Sequence, residues 1–206
     1  RLASNSDVVG EVLRRRAETL FTLGRIEEAE RDCSDGIKLT RMIGDRLEEG
    51  ALLRVLASIC YAKGEQAAAE VLVSRAEEIL RRVGESFELA KTALVDGIGM
   101  RESAIGEAIP LDRVEARFSA AEAVFTRIGA GHWVARCQLE RGKALQRGGQ
   151  PDRARSWLER ARLKFEVGHD SHGLSEVDVV LRELDAELAD AGVAEDGRYA
   201  TIAQGY

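Results

Sequence analysis

One motif recurs along this 206-residue chain and constrains its fold more than any other feature. The motif is a β-branched residue followed by Gly, and it occurs at Ile43-Gly44, Val83-Gly84, Ile128-Gly129 and Val167-Gly168. The steps between these glycines are 40, 45 and 39 residues. Each pair ends a long run in which apolar residues have helical spacing, so each Gly is predicted to form a left-handed C-cap. The chain is therefore predicted to consist of repeated helical units.

A second set of turn residues divides each unit into two helices. Gly24, Gly64 and Gly149 mark the predicted hairpin turns, and the only two prolines, Pro110 and Pro151, stand at first-turn positions that suit a helix start. Charged residues make up 32% of the chain and aromatic residues only 5%, which favours amphipathic helices over strands. Nine helices are predicted, over residues 6–22, 25–43, 46–63, 65–83, 86–103, 110–128, 131–147, 151–167 and 173–190.

Small residues at fixed positions resemble the tetratricopeptide repeat (TPR) consensus over residues 10–168. They are Ala17, Gly24, Ile26, Ala29 and Gly36 in the first unit, echoed by Leu53, Leu56, Ala57, Gly64, Ala69 and Ala76 in the second. Units of this length resemble the 40-residue variety seen in bacterial signalling and transcription regulators. The resemblance implies an all-α fold, a right-handed superhelix of about four TPR-like helical hairpins plus a C-terminal capping helix.

Two stretches depart from the repeat pattern. The segment from Ser103 to Pro110 is predicted to be an insertion of about five residues, and Arg16 takes the place of a large apolar residue in the first unit.

Residues 1–190 are expected to form one TPR-like α-solenoid domain. Residues 191–206 lose the helical spacing and are predicted to be a linker or a disordered tail.

The resemblance places a binding surface on the first helices of successive hairpins, which line a concave groove in this family. The residues predicted to bind a peptide or partner there are Arg14, Arg15, Glu18, Arg54, Ser58, Tyr61, Lys91, Ile98, Arg101, Arg136, Glu140, Lys143 and Arg147. The wider set of groove positions adds Glu11, Phe21, Thr22, Ala51, Val55, Ala62, Leu94, Val95, Glu102, Leu139 and Gln146.

The charges at these groove positions suggest one class of partner. Eight are basic and four acidic, a net charge of +4, whereas the whole chain carries -6. A basic groove would attract an acidic peptide segment or a terminal carboxylate, since Arg offers bidentate hydrogen bonds. The alternative is that these long side chains pair with neighbouring Glu residues on a solvated face.

The leading hypothesis is a non-enzymatic protein- or peptide-binding module, the interaction or sensor part of a larger bacterial regulatory protein. The alternative is a receptor for a small signalling peptide or metabolite in a closed cavity lined by Tyr61, Ile98 and several Arg side chains. No catalytic or cofactor motif stands out, so no catalytic residue, cofactor or metal is predicted. His169 and His172 flank Asp170, but no further ligand lies near them in sequence.

Composition and charge limit which other partners and locations we expect. The acidic balance argues against nucleic acid binding by this region. No apolar run reaches the roughly 18 residues of a membrane span and no signal peptide opens the chain, so a cytoplasmic location without membrane contact is expected. Cys33, Cys60 and Cys137 are predicted to be buried reduced thiols. Homodimer formation through the open flank of the first helix remains an alternative.

Overall fold

The structure of the chain is a computed structural model that describes residues 3–103 and 110–203, with side chains described for residues 8–103 and 110–189. Every regular element in these ranges is an α-helix, which confirms the all-α prediction. The helices are α1 (Ala3–Thr22), α2 (Ile26–Ile43), α3 (Arg46–Ala62), α4 (Gln66–Val83), α5 (Ser86–Ser103), α6 (Leu111–Arg127), α7 (Gly131–Arg147), α8 (Pro151–Val167) and α9 (Ser171–Ala203). None of the helices searched over these residues is both long and apolar enough to cross a membrane.

The chain forms two compact units, Arg1–Ile128 and Gly129–Tyr206. The first unit contains three hairpins in a row, α1–α2, α3–α4 and α5–α6, and its first helices also pack on one another, α1 on α3 and α3 on α5. The second unit contains the fourth hairpin, α7–α8, onto which α9 packs. Each unit has hydrophobic clusters of its own, and the single α-solenoid domain over residues 1–190 stays a prediction.

Helix ends follow the predicted glycines with one exception. Gly44, Gly84 and Gly129 have φ values of 79°, 80° and 73°, which is the left-handed conformation. At the end of α8, however, Gly168 has a φ of −80°, and the next residue, His169, has a φ of 52°. The prediction for Gly168 is wrong because Gly168 keeps a right-handed conformation as the C-cap and the left-handed turn comes one residue later, at His169. A left-handed His costs on the order of 1 kcal/mol more than a Gly at such a position.

The last helix is longer than the sequence predicted. Residues 191–206 lose the helical spacing of apolar residues, which predicts a linker or a disordered tail, but α9 continues to Ala203. Ala191, Ala194 and Ala200 lie in the same stretch, and Ala has the highest helix propensity. Gly192 and Gly197 disfavour helix in the same stretch, so local propensity is mixed and does not by itself explain the extension.

Close helix packing depends on glycines that face large side chains. A Cβ atom added to Gly36 would lie 2.8 Å from Leu52, and one added to Gly97 would lie 2.6 Å from the Phe118 ring. Both large side chains are fully buried. The large residue of one helix thus fills the space left by the missing side chain of another.

The three cysteines are buried free thiols, as predicted. Burial raises the pKa of Cys33 to about 12. Because the thiolate is the reactive form, Cys33 is a packing residue at neutral pH.

Candidate functional site

The first helices of the first unit, α1, α3 and α5, present one shared surface that we call the first-helix face. We define it by residues that line one pocket or join one network of ion pairs: Arg14, Glu18, Phe21, Arg54, Ser58, Tyr61, Lys91, Val95, Ile98 and Glu102. A pocket of about 320 Å³ lies on this face. It is lined by Phe21, Ser58, Tyr61, Ala62, Val95, Ile98, Gly99 and Glu102. Of the residues predicted to bind a partner, the structure brings Ser58, Tyr61 and Ile98 together here.

Tyr61 forms one wall of the pocket, and its hydroxyl is held in place. It donates a 2.7 Å hydrogen bond to Oδ1 of Asp96, whose Oδ2 lies 2.7 Å from Nε of Arg117. Arg117 also contacts Glu77. Burial raises the pKa of Tyr61, and the hydrogen bond to Asp96 raises it further, so the hydroxyl remains protonated. With its polar end bound to Asp96, Tyr61 offers its ring to the pocket.

The pocket depends on the absence of a side chain at residue 99. A Cβ atom added to Gly99 would lie 2.3 Å from the Tyr61 ring, far closer than real contacts allow. Gly99 therefore gives the ring the space it occupies.

A network of buried ion pairs runs along the same face beside the pocket. Arg14 donates from Nε to Glu48 at 2.6 Å. Arg54 donates from Nη2 to Glu18 at 2.6 Å, and its Nε donates to Glu88 at 3.1 Å. Lys91 joins the same carboxylates, at 3.4 Å from Glu18 and 3.2 Å from Glu88. Three cations and three carboxylates therefore balance one another.

Burial and charge act in opposite directions on the pKa values in this network. Burial alone would raise the pKa of Glu18, but the charges of Arg54, Lys91 and Arg14 outweigh it, and the pKa is lowered. The pKa of Lys91 is lowered by burial and by the charge of Arg54, against the opposing effect of Glu88 and Glu18. Glu18 is therefore a stably ionised centre that contacts all three cations.

This network bears on the role predicted for the basic residues of this face, which was to bind a partner. Arg14, Arg54 and Lys91 are bound to carboxylates, as in the alternative of pairing with Glu residues, but they are buried and do not lie on a solvated face. Arg101 is also buried and contacts Glu102 at 2.7 Å. Arg15 is exposed and pairs with Glu11 along α1. The expected excess of accessible positive charge is therefore absent from this part of the face.

The second unit has a smaller charged cluster on α7 and α9. Arg136 contacts Glu176, and Lys143 lies 2.5 Å from the same carboxylate. Lys143 also lies 3.2 Å from Glu140, which is buried. Burial alone would raise the pKa of Glu176, but Lys143 and Arg136 lower it. Arg147, the last predicted residue, is exposed at the end of α7.

The histidine-rich turn before α9 has a structural role. Nδ1 of His132 lies 2.8 Å from Asp170, and the Asp170 side chain accepts a hydrogen bond from the backbone N–H of Gly173. The backbone hydrogen bond from Gly173 lowers the pKa of Asp170. Among the residues searched for metal sites, which are those the structure describes, no group of three potential ligands occurs.

Sequence reasoning missed the carboxylates that complete the network, Glu48 and Glu88, as well as Asp96 behind Tyr61. A signal for two of them was present, because Glu48 and Glu88 each stand 34 residues after their Arg partner. Such a recurring Arg-to-Glu distance across a repeat boundary indicates a contact between hairpins. Asp96 has no counterpart of this kind in the sequence.

Comparisons with known proteins establish the fold alone. No protein-family model matches the chain, and no curated protein matches it. The crystal structure of BtubC (BKLC) from P. vanneervenii is similar to this chain, with a TM-score of 0.63 and 15% identity. The match covers 81% of this chain and 67% of BtubC.

Proposed function

We propose that this chain is a non-enzymatic, TPR-type module that binds a protein or peptide segment on its first-helix face. The observation that carries the proposal is the pocket on that face, lined by side chains of α1, α3 and α5. Helical repeats use such surfaces to bind extended segments. The further proposal, that the module serves as the interaction or sensor part of a larger bacterial regulatory protein, rests on the resemblance to that group of TPR proteins.

The size of the pocket favours a side chain of a partner over a free metabolite. Its volume of about 320 Å³ is at the lower end of the range of small-molecule sites. The pocket is formed by side chains of three helices and is half open to solvent, not enclosed. A segment that inserts one side chain fits this geometry better than an enclosed small molecule.

Selection from a displayed library of random peptides on the immobilised chain tests the proposal. Peptides enriched on the chain should bind it in solution, and Ile98→Glu should weaken them about tenfold or more, since Ile98 lines the pocket. The matched control is Val71→Glu, which makes the same change at an exposed position on α4 outside the face. Failure to enrich any peptide, or equal binding to both variants, would contradict the proposal.

A further inference from the structure

The pocket and the charges around it define a partner more narrowly than the proposed function, on which this inference rests. We infer that the first-helix face binds a segment with a bulky apolar side chain next to a basic residue, rather than an acidic segment. The evidence lies in the polar groups inside the pocket and in the exposure of each member of the ion pairs around it.

The pocket interior suits an apolar group. Phe21, Val95, Ile98 and the Tyr61 ring form most of its lining. Both hydroxyl groups of its lining are already engaged, because the Tyr61 hydroxyl donates to Asp96 and the Ser58 hydroxyl donates to the carbonyl oxygen of Arg54, and the remaining polar group is the carboxylate of Glu102. An acidic side chain that entered would lose its hydration without gaining a partner, whereas an apolar one would gain from leaving water.

Exposure differs strongly between the two members of the ion pairs that Glu102 and Glu18 form on this face, whereas the pairs of Glu48 and Glu88 are buried on both sides. The Glu102 side chain, at the pocket, is 54% exposed, whereas its partner Arg101 is 7% exposed. The Glu18 side chain is 32% exposed, whereas its partner Arg54 is 5% exposed. Although the formal charges balance, the carboxylates of Glu102 and Glu18 are more exposed than their cationic partners, so a partner at the pocket reaches these two carboxylates first.

This asymmetry determines the complementary charge of the partner. A basic side chain beside the pocket would lie near the accessible carboxylate of Glu102, and an acidic one would be repelled by it. Exposed charges interact weakly and are screened by salt, so the charge effect should be modest and salt-dependent. The apolar side chain should supply most of the affinity, and the basic neighbour should supply selectivity.

Titration of the full chain with three capped dipeptides, followed by NMR, tests this inference. The probes are N-acetyl-phenylalanyl-arginine amide, its phenylalanyl-glutamate counterpart and a seryl-arginine counterpart. The phenylalanyl-arginine probe should shift the resonances of Tyr61 and Ile98 and bind about threefold more tightly than the glutamate probe at low salt. The seryl-arginine probe should leave these resonances unshifted.

Charge removal at the pocket separates the two parts of the inference. Glu102→Gln should equalise binding of the arginine and glutamate probes while the phenylalanyl group still binds, and Glu183→Gln, at an exposed carboxylate on α9, should change neither. An unchanged preference in Glu102→Gln, or tighter binding of the glutamate probe, would overturn the inference.

The library selection distinguishes this inference from the proposed function. Enriched peptides that bind the face but carry acidic residues beside the anchor would overturn the inference and leave the proposed function standing. If no library peptide binds, the proposed function fails, and the dipeptide titration still decides what the pocket accepts.

Discussion

The second and third hairpins of the first unit have side chains of different chemistry at two equivalent positions of the repeat. Leu56 and Leu72 pack against the hydrophobic core between the first and second hairpins. The positions that correspond to them in the third hairpin, 40 and 45 residues later, hold Asp96 and Arg117, which form an ion pair. The difference teaches that the backbone repeat fixes the positions at which side chains pack but not whether those side chains are apolar or charged.

The other two hairpins extend the comparison. The first hairpin has Arg16 and Asp32 at these positions, paired at 2.5 Å. The fourth has Arg141 over the ring of Trp157, with the guanidinium carbon 4.0 Å from the ring centroid. Of the four pairs, the one in the third hairpin also binds a residue of the pocket, since Asp96 holds Tyr61.

Asp96→Ala should have the largest effect on this comparison. It removes a buried carboxylate and leaves the Tyr61 hydroxyl and the Arg117 guanidinium without it, and loss of one member of a buried pair costs on the order of 3 kcal/mol. The free energy of unfolding, measured by urea denaturation, should fall by about that amount.

The double variant Asp96→Leu with Arg117→Leu places apolar residues at both positions, as in the second hairpin. It should recover much of the lost stability, because an apolar pair can replace a buried ion pair at little cost. The Tyr61 hydroxyl would still lack its acceptor, at a cost of about 1 kcal/mol. A double variant less stable than Asp96→Ala alone would contradict this account.

Gly99→Ala should have the next largest effect. The second hairpin has the fully buried Ile59 at the corresponding position, whereas in the third the Tyr61 ring fills that space. The added methyl group should displace the ring, reduce stability by about 2 kcal/mol and weaken peptide binding. Gly131→Ala, with open space around its Cβ position, is the matched control and should have little effect. Unchanged Tyr61 resonances in Gly99→Ala would speak against the proposed steric role.

Leu56→Ala tests the apolar member of the comparison. Leu56 is only partly buried, so we expect a loss of about 1 kcal/mol in the free energy of unfolding, less than for a fully buried Leu. Urea denaturation of this variant in parallel with Asp96→Ala measures the difference. If Leu56→Ala lowered the free energy of unfolding more than Asp96→Ala does, the apolar residues of the second hairpin would matter more for stability than the ion pair of the third, which is the reverse of what we expect.

The smallest effect is expected from acidification. The pKa of Glu18 is lowered in the folded chain, so its contribution to stability is complete above its ordinary value of 4.5 and is lost as the pH falls through the lowered value. Glu18→Gln should therefore reduce the decline in stability between neutral pH and about pH 3. Glu27→Gln, at an exposed carboxylate on α2, should leave the decline unchanged. An equal decline in both variants would contradict the role of Glu18.

The sequence predicted the repeat well because turn glycines and helical spacing are local signals. Gly44, Gly84 and Gly129 adopt the conformation expected of them, and the helix bounds follow. At the candidate site, the positions of Ser58, Tyr61 and Ile98 within the repeat were enough to predict that they share one face, and all three line the pocket.

Pairing between distant residues could not be predicted in the same way. The net charge predicted for the groove omitted Glu48 and Glu88. These residues lie in the first turns of α3 and α5, outside the groove positions of the family. Which member of an ion pair is exposed depends on packing between hairpins, as for Arg101 and Glu102. The sign of the accessible charge is therefore a property of tertiary structure.

The carboxylate of Glu18 has one further consequence. In stacked repeats each unit normally contacts only its immediate neighbours, so the ends can fray independently. Glu18, on the first hairpin, reaches Arg54 on the second and Lys91 on the third, which is 73 residues away along the chain. This contact links next-nearest neighbours, so opening of the third hairpin weakens the first directly. The three hairpins should accordingly open as one cooperative block, with similar amide exchange rates.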